Sequence, residues 1–189
     1  MPKILALSGS LRSKSFNTML LHAVVGLAPA GTIVDVGSIE DIPLYNGDAD
    51  AGSGPPPAVR ELKEQIAASD GLLLVTPEYN HSIPGVFKNA IDWISRPATD
   101  ISRVFGGCPV GVIGATTGQG GTTLAQEAWL PVLRALRMLP FFGAHVGITG
   151  AGRVFDEHGA LADPASRAQV EKYIAVFADF SSRHKRHQA

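Results

Sequence analysis

Gly71-Leu72-Leu73-Leu74-Val75 runs straight into Thr76-Pro77-Glu78-Tyr79-Asn80-His81-Ser82-Ile83-Pro84-Gly85, and a helical pattern then carries on to Ile94. Five apolar residues in succession, with no polar alternation, suit a strand covered on both faces, as strands of parallel sheets are. The two prolines stiffen both ends of the loop that follows. The unit therefore reads as strand, rigid loop, helix.

The same unit recurs on either side. Ile4–Leu7 reads as a buried strand, followed by Phe16, Met19, Leu20, Ala23, Val24 and Leu27 at helical spacing. Thr32–Val36 is a second strand. Residues 41–57 form an Asp-, Gly- and Pro-rich loop, read either as a plain surface loop or as a lid. Pro55-Pro56-Pro57 leads into a helix through about Ala68. Val110–Ala115 is a fourth strand, and residues 120–138 read as a helix that Pro131 must kink or interrupt. A fifth strand falls within Phe141–Ile148. The last helix spans about Asp163–Ser182, with Val170, Tyr173, Ile174, Phe177 and Phe180 as its stripe. Such alternation predicts an α/β fold, a doubly wound five-stranded parallel sheet in the order 2-1-3-4-5 with helices on both faces.

At 189 residues and 45% apolar composition, the chain suits one domain over 1–189 with a sizeable core. A net charge of −1 supplies no global pull toward nucleic acid or an anionic membrane. Cys108 is the single cysteine, so no intrachain disulfide forms, and its apolar surroundings suggest a buried, inert thiol. Met1-Pro2-Lys3-Ile4-Leu5 starts in a strand pattern without a signal-peptide core, and no apolar run approaches the ~18 residues of a membrane span. A cytoplasmic protein is expected. The basic tail 183–189 reads as a solvated fray.

In such sheets ligands bind beyond the carboxyl ends of the strands, near the switch point between strands 1 and 3. After strand 1 comes Ser8-Gly9-Ser10-Leu11-Arg12-Ser13-Lys14-Ser15-Phe16-Asn17. It feeds a helix N-terminus, where free N–H groups and the helix dipole favour an anion. Ser10, Ser15 and Asn17 add neutral donors and Arg12 a charged one, a set that suits a terminal phosphate; Ser13 or Ser15 has the alternative of simply capping the helix. The stretch matches neither the P-loop nor the Gly-x-Gly-x-x-Gly pattern. After strand 3, the stiff Thr76–Gly85 loop presents backbone groups to a flat heterocycle, with Tyr79 as an aromatic surface or a packing residue; Glu78 has the alternative of capping a neighbouring amide and His81 that of simple exposure. After strand 4, Ala115-Thr116-Thr117-Gly118-Gln119-Gly120-Gly121-Thr122, with three glycines within four residues, permits close approach of backbone to a ligand. No Cys/His cluster has metal-ligand spacing and no Gly-x-Ser-x-Gly elbow is present, so neither a metal centre nor a hydrolase triad is expected.

Gly9-Ser10-Leu11-Arg12 with Ser15-Phe16-Asn17, and Thr76-Pro77-Glu78-Tyr79-Asn80 with Ser82-Ile83-Pro84-Gly85 and Lys88-Asn89-Ala90-Ile91-Asp92-Trp93, resemble the two signatures of the NADPH-dependent FMN reductases. The likeness covers residues 3–150 and is nearest to the bacterial chromate and quinone reductase branch. It implies a flavodoxin-like fold. It also implies that Ser10, Arg12, Ser15, Phe16 and Asn17 hold the FMN phosphate. Pro77, Glu78, Tyr79, Asn80 and Ser82 would cradle the ring and ribityl chain, and Thr116, Gly118, Gln119 and Gly120 would close the other side. Phe87 stands where leucine is more usual. The resemblance further implies a homodimer or homotetramer, with Lys88–Trp93 serving either core packing or a dimer contact.

The expected activity is ping-pong transfer from NADPH or NADH, through FMN, to a small-molecule acceptor such as a quinone, chromate, an azo dye or free flavin. The flavin carries the chemistry, so no catalytic side chain is assigned. A flavodoxin-type electron carrier would need a strongly acidic docking face, which a net charge of −1 does not supply. A flavin- or nucleotide-binding regulator without turnover is the other alternative.

Overall fold

The computed structural model describes residues 1–186. In chain order the elements are β1 (Lys3–Ser8), α1 (Phe16–Leu27), β2 (Ile33–Gly37), α2 (Gly47–Gly52), α3 (Pro57–Ala67), β3 (Gly71–Val75) and α4 (Gly85–Ile94). A 3₁₀ turn at Ala98–Asp100 then leads to α5 (Ile101–Val104), β4 (Pro109–Ala115), α6 (Thr123–Ala135), β5 (Leu139–Pro140), β6 (Gly147–Ile148), α7 (Ala151–Val154) and α8 (Pro164–Arg183).

All strand pairs are parallel, in the order β2-β1-β3-β4-β5. The register aligns Ile4 with Gly71 and Leu72 with Val110. The period-2 pleat splits each central strand between two cores. Leu5, Leu7, Leu72 and Leu74 pack with Phe87, Trp93 and Trp129 beneath α3, α4 and α6. Ile4, Ala6, Leu73 and Val75 pack with Leu20, Tyr173 and Phe177 beneath α1 and α8. Burial of each such large side chain stabilises the fold by roughly 1.5–3 kcal/mol. The fold is the flavodoxin-like one expected.

The fifth strand is not one piece. Leu139–Pro140 pairs with Pro109–Val110, and Gly147–Ile148 pairs with Gly114–Ala115. Between them the chain leaves the sheet. Phe141 turns inward onto Tyr173, Phe177 and Phe180, with ring centroids 5.2–5.4 Å apart, while Phe142 is exposed. Aromatic packing here displaces regular pairing, so the expected strand within 141–148 begins earlier and is split. Helix α6 runs through Pro131 without interruption.

The loop at 41–57 contains α2 and is fastened to α4. The Pro43 carbonyl accepts from both Asn89 Nδ2 and Trp93 Nε1 at 2.9 Å, and the Tyr45 N–H donates to Asn89 Oδ1. Tyr45 meets Trp93 edge-on at 4.8 Å. On α4 itself, Phe87, Ile91, Trp93 and Ile94 face the core, whereas Lys88 and Asp92 pair at the surface, 2.6 Å apart. Cys108 is buried, and burial pushes its thiol up to about 11.

The tail departs from the solvated fray expected of it. Arg186 donates to the carbonyls of Ile66, Ser69 and Val104 at 2.6–2.8 Å, stitching the chain end to the ends of α3 and α5. The rest of the expected fray, residues 187–189, lies outside the described residues. No helix among the described residues is long and apolar enough to cross a membrane.

Candidate functional site

Three loops meet at the carboxyl edge of the sheet. The first leaves β1 through Gly9, whose N–H donates to the Val75 carbonyl. A Cβ at Gly9 would lie 2.2 Å from Phe87 Cδ1, so only glycine lets the loop pass this close to the core. Ser15 is the N-cap of α1. Its Oγ accepts from the N–H groups of Asn17 and Thr18 at 3.2 and 3.3 Å, so the capping role is realised. The Phe16 N–H is left without an intrahelical partner, as the first amide of a helix is. Ser10 Oγ accepts from the Arg12 N–H at 3.3 Å and retains its own proton to donate. The Arg12 guanidinium is exposed and has no hydrogen bond or ion pair among the described residues.

Asn17 is buried, and its amide reaches across β3 to the end of β4. Nδ2 donates to the Ala115 carbonyl and Oδ1 accepts from the Ala115 N–H, each at 2.9 Å. One amide hydrogen of Asn17 remains available.

The second loop follows β3. Tyr79 and Ser82 exchange two backbone hydrogen bonds of 3.1 Å, closing a two-residue hairpin turn. Its central residues, Asn80 and His81, both have positive φ, 50° and 60°. That is the conformation of a type I′ turn. Thr76 is buried and accepts at Oγ1 from Trp129 Nε1. Glu78 Oε2 accepts from the Ala125 N–H at 3.1 Å, and Oε1 lies 3.4 Å from His81 Nδ1.

The third loop follows β4. The Thr116 N–H donates to Ile148, and the Thr116 carbonyl accepts from Ala151. Gly118 N–H donates to Thr116 Oγ1, and the Gly118 carbonyl accepts from Gly150. Residues Thr117–Gly120 are exposed, forming an open rim.

These loops enclose a cavity of about 170 Å³. Of the residues read from the sequence, Ser10, Arg12, Ser15, Phe16, Asn17, Pro77, Glu78, Tyr79 and Thr116 line it. Asn80, Ser82, Gly118, Gln119 and Gly120 do not. Asn80 sits at the hairpin tip, and the glycines border the mouth. Ala115 and Thr117 line it as well. Both belong to the loop read after strand 4, although the sequence reading assigns neither to the site.

Four donors with no hydrogen-bond partner among the described residues lie on residues that line this cavity: the Arg12 guanidinium, the Ser10 hydroxyl, the Phe16 N–H and one Asn17 N–H. That set fits a phosphate monoester held at a helix N-terminus. Glu78, the one carboxylate among the lining residues, has both oxygens engaged elsewhere. The terminal phosphate of FMN therefore fits the residues present.

The chain is similar to proteins of known activity. The family described as NADPH-dependent FMN reductase matches residues 2–152. An NAD(P)H-dependent FMN reductase of Pseudomonas aeruginosa is 43% identical over 172 residues, covering 91% of each chain. A 2-hydroxy-1,4-benzoquinone reductase of Burkholderia is 41% identical, over 94% of this chain and 92% of its own. Among solved structures, a flavoenzyme NAD(P)H:(acceptor) oxidoreductase from Paracoccus denitrificans superposes with a TM-score of 0.87 at 31% identity, over 98% of this chain and all of its own. On the family match and on these relatives, the chain belongs to the NADPH-dependent FMN reductases.

Proposed function

We propose that this chain binds FMN between the three loops and passes electrons from NADPH or NADH to a small acceptor, quinones foremost. Family membership makes it an NAD(P)H-dependent reductase with FMN as cofactor. The quinone assignment draws on the printed activities of its relatives. The observation that carries the binding mode is the cluster of unpartnered donors at the start of α1, centred on Arg12.

In this reading Ser10, Arg12, Ser15, Phe16 and Asn17 hold the phosphate. Pro77, Glu78, Tyr79, Asn80 and Ser82 form the wall on the β3 side, and Thr116, Gly118, Gln119 and Gly120 the wall on the β4 side. Bound FMN supplies the two-electron chemistry. The chain's own residues bind, orient and screen. The rigid hairpin fixes the backbone groups of the β3 wall, and preorganised donors of this kind stabilise negative charge that develops on a ligand. Glu78 is committed to the Ala125 N–H, so no proton transfer is assigned to it.

Donor and acceptor would use the exposed rim at Tyr79 and Thr117–Gly120 in turn, giving ping-pong kinetics. Chromate, azo dyes and free flavin fit the same open rim as further acceptors. The reading also comprises a single domain, a homodimer or homotetramer, and a cytoplasmic setting. The test is direct. The purified protein should carry or take up FMN and oxidise NAD(P)H in steady state when a benzoquinone is added, with parallel double-reciprocal lines. A protein that takes up FMN but turns over no acceptor would overturn the proposal.

A further inference from the structure

Helix α6 begins without a side-chain cap from its own N-cap residue, although the Thr123 N–H donates to the Gly120 carbonyl. Thr122, at its N-cap, has φ 59° and makes no side-chain cap bond; its Oγ1 accepts instead from Gln126 Nε2. The N–H groups of a first helical turn need acceptors from elsewhere. One comes from a different loop, 47 residues earlier: Glu78 Oε2 accepts from the Ala125 N–H at 3.1 Å. The Glu78 side chain is only 16% exposed, and its second oxygen faces His81.

The loops on the two sides of the cavity differ in what constrains their backbone. The β3 wall is a closed hairpin flanked by Pro77 and Pro84. The β4-side loop carries the lining residues Thr116 and Thr117, then runs through Gly118, Gly120 and Gly121 directly into α6. Glycine-rich backbone takes its position from what it is tied to. The Glu78 carboxylate ties the first turn of α6 to the stiff wall.

The geometry points to Glu78 as a positioning residue: by capping α6 from the β3 loop, it sets the spacing of the two walls between which FMN is held. This role rests on the FMN-binding reading above. The property required is hydrogen-bond acceptance at the reach of a glutamate, not charge. Glutamine keeps an oxygen at that reach. Aspartate is one methylene short, and alanine has no acceptor.

Wild type, Glu78→Gln, Glu78→Asp and Glu78→Ala are to be compared by FMN titration and by amide hydrogen exchange of the cofactor-free protein. Glu78→Ala and Glu78→Asp should weaken FMN binding by up to about tenfold, the scale of one net hydrogen bond. Both should speed exchange at residues 123–126 while leaving β3 and α1 protected. Glu78→Gln should stay near wild type in both measurements. Equal weakening by glutamine and alanine would overturn the proposal in favour of charge or direct ligand contact. Faster exchange with unchanged FMN affinity would overturn it too, leaving a cap with no bearing on the cofactor. Should the alanine variant not fold, the Gln–Asp comparison decides alone. A wild-type protein that takes up no FMN would defeat the functional reading itself, whereas losses confined to the variants bear on Glu78 only.

Discussion

Asn17 and Ala115, 98 residues apart, are joined by a pair of hydrogen bonds that uses both ends of one side-chain amide. The pair locks the first turn of α1 against the end of β4, passing over β3. Both groups are buried, so removing the side chain orphans an N–H and a C=O together. Asn17→Ala should therefore destabilise the protein by about 1–3 kcal/mol for each group left unsatisfied. Asn17→Asp should also destabilise it, because a carboxylate cannot donate to the Ala115 carbonyl. Urea unfolding monitored by circular dichroism checks both. Near-wild-type midpoints would mean that water replaces the amide at no cost.

Arg12 should decide between flavins with and without a phosphate. Arg12→Ala removes a charge-assisted bond worth about 1.5–3 kcal/mol. FMN affinity should fall about tenfold or more, while riboflavin affinity should barely change. Fluorescence titration of both ligands against both proteins gives the answer, and equal losses would show that Arg12 does not meet the phosphate.

Gly9→Ala should destabilise the fold through Phe87. The new Cβ would sit 2.2 Å from a ring that is fully buried, and overpacking of this kind costs about 1–3 kcal/mol. Phe87→Leu in the same chain should recover part of that loss, because the two sites share one contact. Purely additive effects in a double-mutant cycle would place the strain elsewhere.

His81 should prove dispensable for chemistry. It holds φ 60° at an exposed turn, a conformation costing a non-glycine residue of order 1 kcal/mol. His81→Gly should leave stability unchanged or raised, with stopped-flow reduction by NADPH near the wild-type rate. Loss of reduction with FMN still bound would reveal a chemical role for the imidazole.

Acid should loosen the junction of α3 and α5. Hydrogen bonds from Arg103 and Lys63 hold the Asp100 carboxyl well below the usual carboxylate range. A depressed pKa in the folded state stabilises it above the unfolded value, about 3.9, and that contribution is lost as pH falls toward the folded value. Asp100→Asn should thus be less stable than wild type by a constant margin above about pH 5, and the margin should shrink below about pH 4. Lys63, a buried ammonium, loses its ion-pair partner in the variant. A margin independent of pH down to strong acid would show that the charge on Asp100 is immaterial.

The sheet was legible because strands covered on both faces must be apolar at every position, as Gly71–Val75 is. Helix α1 was legible from its periodic stripe, with Ser13 and Ser15 as alternative caps, of which the structure uses Ser15. The cavity residues contributed by the start of α1 could be read for the same reason, since they lie next to one helix start in one continuous stretch. Other features have no local signature. The Asn17–Ala115 and Glu78–Ala125 bonds join residues that nothing in the sequence pairs. Helix α2, built from Gly-Asp-Ala-Asp-Ala-Gly, has the composition of a loop. Leu139–Pro140 is too short for any periodicity, and a tail of arginine, histidine and lysine looks solvated unless the carbonyls awaiting Arg186 are known.

The divided strand at the margin of the sheet also bears on how the protein behaves when crowded. A long regular margin offers an unbroken row of N–H and C=O groups on which another chain can polymerise. Here that margin is two dipeptides, one ending in a proline, separated by a segment whose Phe141 is anchored in the core. No foreign strand can run its length in register. Strand addition would therefore fall to the opposite margin, where β2 (Ile33–Gly37) is continuous.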